Sequence, residues 1–219
     1  MLHLYAIAED PVRLPATTGI DESTLSAATV DGIAAVLSTA ASAPAETTEA
    51  AILAHARVVE EVAALNDAVL PARFGGSYED ESALGAAIRQ RAPQLREALE
   101  RVRGCVELGV RVARQRESGD QPPSSGGEYM RGRLAQVRSA ERIAGALDDA
   151  VRRLVRDGTR RLLAGPELLV SAAYLLPRAN VEPFRAAVAG VAETHPDLGI
   201  VCTGPWPPYS FALVDGATT

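Results

Sequence analysis

The sequence predicts an α+β fold in two small domains, residues 1–103 and 104–219, the second a modified ferredoxin-like fold with one long helix. Three observations carry that reading. Two-residue and 3.6-residue apolar periods follow one another along the chain, so strands and helices are interspersed. A helical pattern stops at Gly104, and beyond it the order is strand, long helix, strand, helix, strand, which suggests a split βαβ arrangement. Charge divides near the same place: residues 1–100 hold six arginines against fifteen acids, a net of −9, and residues 101–219 hold sixteen against thirteen, a net of +3. Such a split fits two units, and it also fits one self-complementary surface.

In the first half, Leu2–Ala8 alternates like a strand and ends at Glu9-Asp10-Pro11. Leu25–Val30 and Ile33–Ser38 flank Asp31-Gly32, a two-residue hairpin signal because both central positions of a type I′ turn need positive φ. Ala40–Ala45 is a small-residue linker. Thr47 or Thr48 then caps a helix to about Asn66, with Ile52, Ala56, Val59 and Ala63 on its inner stripe, Val62 alongside, and His55 in or beside it. Ala68–Phe74 reads as a strand that leaves through Gly75-Gly76 into a helix. That turn could present amides to an anion, but it lacks the Gly-Lys-Ser/Thr ending of a phosphate loop, so a tight turn is the simpler reading. Leu84, Ile88, Leu95, Leu99 and Val102 mark one face of a helix from about Asp80 to Arg103, which Pro93 either kinks or divides.

In the second half, Cys105–Ala113 is a strand with Val106, Leu108, Val110 and Val112 on one face. Arg114–Gly127 is a hydrophilic connection with the composition of a disordered loop. The longest helical pattern runs from Glu128 to about Ala164, with Leu134, Val137, Ala140, Ala144, Leu147, Val151 and Leu154 in near-heptad steps. At 1.5 Å per residue such a helix spans roughly 45 Å, enough to reach past a small domain towards a neighbour. Its arginines are mixed with acids, as on a solvated, salt-bridged face. Glu167–Leu176 is a buried strand, Asn180 caps a helix to about His195 with Phe184, Val188 and Val191 inward, and Gly199–Thr203 is a last strand. Were the first and last strands of this half antiparallel neighbours, Cys105 and Cys202 could lie close across the pair.

That strand feeds the stretch Gly204-Pro205-Trp206-Pro207-Pro208-Tyr209-Ser210-Phe211, which holds the sole tryptophan. Its prolines suit a polyproline-like crossover or an edge strand. Tyr209, Phe211 and Leu213 would share one face of an extended segment, either pegging the C-terminus to a core or docking a partner.

Composition excludes several classes. With 47% hydrophobic and 23% charged residues the chain is a folded one, and with 4% aromatics its core is mainly Ala, Val, Leu and Ile. A net charge of −6 without a dense basic, aromatic-rich patch argues against nucleic acid as the main partner. No apolar run is long enough for a bilayer span, no basic region precedes an apolar core at the N-terminus, and the two cysteines have no CxxC spacing, which together point to a cytoplasmic protein with reduced thiols. The motifs of metal, serine and cysteine catalysis are absent, and no cofactor is implied. Two other classes stay open: a small-molecule-binding regulatory domain of ferredoxin-like type, and a hydrolase or transferase using His55 with an acid such as Glu60.

The run Gly204–Phe211 near the C-terminus resembles the signature of the gas vesicle protein F/L family. The resemblance extends through Tyr5-Ala6-Ile7, Gly32-Ile33-Ala34-Ala35-Val36, His55–Glu60, Leu70–Gly76 and Gly104–Arg111, in order and over nearly the whole chain. It implies two α+β domains and an accessory role, without catalysis, in building gas-filled protein shells. The implied partners are the hydrophobic shell protein GvpA and other gas vesicle accessory proteins. Arg73, Phe74, Trp206, Tyr209 and Phe211 are the motif positions it nominates for partner binding.

Overall fold

A computed structural model describes residues 1–39, 47–114, 125–163 and 168–212. The predicted linker Ala40–Ala45, most of the connection Arg114–Gly127, and Leu213 fall outside these residues. The chain forms two compact units, Met1–Val106 together with Trp206 onward, and Glu107–Pro205. Each combines helices with an antiparallel sheet.

In the first unit, β1 (Leu2–Glu9) is central and buried along most of its length, because β3 (Ile33–Thr39) covers one edge while β4 (Val69–Pro71) and β5 (Ser77–Tyr78) share the other. β2 (Leu25–Val30) joins β3 through the expected hairpin, with Asp31 at φ 51° and Gly32 at φ 77°. Two helices cover this sheet. α1 (Glu49–Leu65) starts at Thr48, whose side chain accepts a hydrogen bond from the Ala51 amide at 3.1 Å. Its buried face is His55, Val58, Val59, Val62 and Ala63, while Ile52 is 42% exposed. The face is thus rotated from the predicted stripe, with a histidine filling a core position. α2 (Glu81–Val102) starts at Asp80, which accepts from the Ala83 amide at 2.8 Å, and buries all five predicted residues while running through Pro93 as a single helix. Gly104 ends it at φ 66° and donates its amide to the Asp67 carbonyl at 2.7 Å.

The segment predicted as one strand to Phe74 is shorter. β4 ends at Pro71, and Arg73 to Gly76 form a turn closed by the Gly76 amide on the Arg73 carbonyl at 3.2 Å. The Gly76 carbonyl then accepts from the Leu4 amide, so the turn leads into β5 before the helix begins.

β6 (Cys105–Arg114), which lies in the second unit from Glu107 onward, buries Val106, Leu108, Val110 and Val112 as predicted. The long helix α3 (Gly126–Val151) is shorter than its sequence pattern, and Asp157–Leu162 is a strand, β7, paired with β8 (Leu168–Pro177). Leu154 donates to the Val151 carbonyl in the turn, and the Arg156 amide already bonds Leu175 on the sheet. β7 is an edge strand with Thr159, Arg160 and Arg161 exposed, so no apolar alternation betrays it. A Cβ on Gly158, in β7, would meet the Tyr174 ring at 3.1 Å.

α4 (Val181–Glu193) buries Phe184, Val188 and Val191. Asn180 precedes it without the expected side-chain cap; its amide reaches the Leu154 carbonyl instead, at 2.8 Å. β9 (Leu198–Trp206) completes a sheet ordered β7-β8-β6-β9. Thr203 lies beside Gly109 and Gly199 beside Ala113, so β9 runs antiparallel to β6 in a register that puts Cys202 opposite Val110. The two cysteines are therefore offset along the strands, and both remain thiols.

Candidate partner-binding surface

The nominated residues all fall in the first unit: Arg73 and Phe74 follow β4, Tyr209 and Phe211 lie in a turn that packs against it, and Trp206 precedes that turn. β1 brings the rings of His3 and Tyr5 within 4.8 Å, centroid to centroid, at a bulge where its register against β3 shifts between Leu4 and Ala6. α1 brings His55 against them. His3 Nε2 lies 2.9 Å from His55 Nδ1, and His55 Nε2 lies 3.0 Å from the Ala72 carbonyl. A carbonyl only accepts, so His55 carries its proton on Nε2, its Nδ1 accepts, and His3 donates from Nε2. Burial pushes His3 down to about 4, helped by the neighbouring His55, and lowers His55 as well. Both rings are neutral at physiological pH.

Phe74 completes this cluster, with ring centroids 6.0 Å from His3 and 5.7 Å from His55. It is half-buried, whereas Arg73 beside it is exposed on the turn. Tyr5 stacks on His55 at 5.3 Å, and its hydroxyl lies 3.0 Å from Ser38 Oγ while accepting from the Ile20 amide at 2.8 Å. His55 therefore ties α1 to β1 and to the residues after β4. Its partner is a second histidine, and Glu60 sits apart from it on the exposed side of α1.

The C-terminal stretch reaches β4 from the other direction. Pro207 and Pro208 are buried, and Tyr209–Phe211 form a single 3₁₀ turn packed against β4. The Tyr209 amide donates to the Pro207 carbonyl at 2.8 Å and the Phe211 amide to Pro208 at 3.1 Å. This turn corrects the predicted shared face: Phe211 is 4% exposed and Tyr209 38%. Phe211 is a core anchor, with the Arg101 guanidinium 5.5 Å from its ring centroid. Tyr209 is a half-covered phenol pushed up to about 12, by burial first and by the Glu60 carboxylate second. Trp206, where β9 ends, is 47% exposed.

The sequence-nominated set thus separates by role. Phe74 and Phe211 hold structure; Arg73, Trp206 and Tyr209 face solvent. Sequence reasoning missed His3, Tyr5 and Ser38 as a buried polar cluster. The one available signal was His3 and Tyr5 at strand spacing opposite a histidine on a helical inner face. Among the described residues, no group of three or more His, Cys, Asp or Glu could hold a metal ion, and no helix is long and apolar enough to cross a membrane.

The family described as gas vesicle synthesis protein GvpL/GvpF matches residues 1–213. Gas vesicle protein F2 of Halobacterium salinarum is 27% identical over 214 residues, covering 96% of this chain and 91% of the relative. Gas vesicle protein L of a Streptomyces species is 33% identical over 168 residues, covering 65% and 62%. The crystal structure of the gas vesicle protein GvpF from Anabaena superposes with a TM-score of 0.81 at 22% identity, covering 98% of this chain and 96% of the other. That of GvpF from Microcystis aeruginosa does so with a TM-score of 0.81 at 20% identity, covering 97% and 99%.

Proposed function

Given that this chain belongs to the gas vesicle synthesis protein GvpL/GvpF family and so has a role in gas vesicle formation, we propose that it binds the hydrophobic shell protein GvpA in the cytoplasm. Bound there, it helps nucleate or build the shell. A subunit that lines a gas space carries an apolar face, which needs cover until the wall takes it up. The observation supporting this reading is the pair of exposed aromatics, Trp206 and Tyr209, held by buried Pro207, Pro208 and Phe211. Large rings on a rigid, proline-fixed segment offer apolar contact at low entropic cost, which is what an interface anchor requires. Arg73 adds a charge on the turn that follows β4.

Co-purification with the shell protein tests it, comparing wild type with Trp206→Ala and Arg73→Glu, each checked for folding by circular dichroism. Capture by the wild type that drops at least about tenfold in folded Trp206→Ala places the contact on this surface. Absence of association with the shell protein in every condition would remove the proposal. Undiminished capture by both folded variants would move the contact elsewhere on the molecule.

A further inference from the structure

We propose that the N-terminal half of α3 is a second docking surface, built to receive an amphipathic helix whose apolar stripe is flanked by acidic residues. The first buried residue of α3 among those described is Ala140, followed by Ile143, Ala144, Leu147 and Val151. The preceding segment, Gly126–Ser139, is roughly 20 Å of helix without a buried side chain among those described. Apolar residues do not stop where burial stops. Met130, Leu134 and Val137 step by four and three along one side, with Met130 65% and Leu134 51% exposed and Val137 half-covered.

Charge selects the occupant. At about 100° per residue, Arg131 and Arg138 fall on one side of this apolar patch and Arg133 on the other, while Glu141 stands in line at its far end. A second copy of the same helix would bring arginine flanks against arginine flanks, which is repulsive. A partner helix with glutamate or aspartate on both sides of its apolar stripe satisfies the patch and both flanks together. The spacing i, i+4, i+7 is the anchor pattern of helix-to-helix docking. This surface rests on the protein being a binding factor, but not on its partner being the shell protein.

The test uses a synthetic amphipathic peptide with leucines at heptad positions a and d and glutamates at e and g. Its control carries lysines in place of the glutamates. Affinity for the full-length protein is read by fluorescence anisotropy. The expected result is binding of the acidic peptide only, weakened at least about tenfold by Leu134→Glu. The pair Arg131→Glu with Arg138→Glu should turn the preference towards the lysine peptide. Leu134 is exposed, so its variant keeps the fold, and circular dichroism verifies that. Equal binding of both peptides, no binding, or binding indifferent to Leu134→Glu would overturn the proposal. Self-association of the protein that disappears in Leu134→Glu would also overturn it, assigning the patch to a second copy. Shell-protein capture that fails while the acidic peptide still binds would leave this surface standing and remove the GvpA reading alone.

Discussion

The buried His3–His55 pair makes the first unit sensitive to acid in a definite window. A free imidazole takes up a proton near its ordinary value of 6.5, whereas His3 in the fold holds out to about 4. The unfolded chain therefore binds more protons between those values, and stability present above pH 6.5 drains away as pH falls towards 4. Thermal unfolding followed by circular dichroism should show Tm dropping across that range. His3→Gln keeps a donor for His55 Nδ1 without a titrating ring, and its profile should be flatter. Identical slopes in the two proteins would assign the pH dependence to other groups. Glu9, held below the usual carboxylate range chiefly by its hydrogen bond from Arg103, loses its contribution only as pH falls below the ordinary 4.5 towards its own lower value. The same neighbourhood has little slack. A Cβ on Gly19 would collide with the hydroxyl of fully buried Tyr5, which is itself fixed by Ile20 and Ser38. Gly19→Ala should cost about 2 kcal/mol or more in chemical denaturation; a neutral effect would mean that this loop yields freely.

At the scale of elements, the helices are held by ordinary means whose loss is calculable. Asp80→Ala removes the cap of α2 and should lower stability by about 1 kcal/mol. Phe184→Ala empties a position with no exposed surface, beside the Tyr174 ring at 5.3 Å, and should lower the second unit's stability by about 3–5 kcal/mol. Urea melts check both, and a reversed order of the two effects would contradict the burial described. These elements were also the most legible in the sequence. α2 showed most of its inner face because five aliphatics at steps of three, four and seven residues admit one helical solution, though its buried Gly85, Ala92 and Ala98 did not stand out, and the Asp31-Gly32 hairpin was legible because the turn demands positive φ. β7 was hidden: an edge strand of Thr and Arg has no apolar period, and the heptad pattern of α3 runs up to it without a break. In the candidate surface, Trp206 and Tyr209 stood out by residue type. The division of labour between Tyr209 and Phe211 did not, since a 3₁₀ turn replaces the extended period by which they would share a face. His3 and His55 lie 52 residues apart, and nothing local ties one to the other.

For the whole molecule, the first unit is discontinuous, its last piece following the entire second unit. Ending the chain after Pro205 should remove buried Pro207, Pro208 and Phe211 from that unit. Amide hydrogen exchange should then quicken in β4 and in the last turn of α2, where Arg101 covers the Phe211 ring, while α4 keeps its protection. Equal loosening of α4 would show that the C-terminal stretch supports the molecule at large. During synthesis, Val106 leaves the ribosome long before Phe211 does, by roughly 5–20 s at ordinary elongation rates. Through that interval the second unit is still being made, β9 emerging only just ahead of Phe211, and the first unit lacks its final anchor. Translation of Trp206–Phe211 is thus the event that supplies the first unit's anchor, and the surface bearing Trp206 and Tyr209 comes into being only once that stretch has been made.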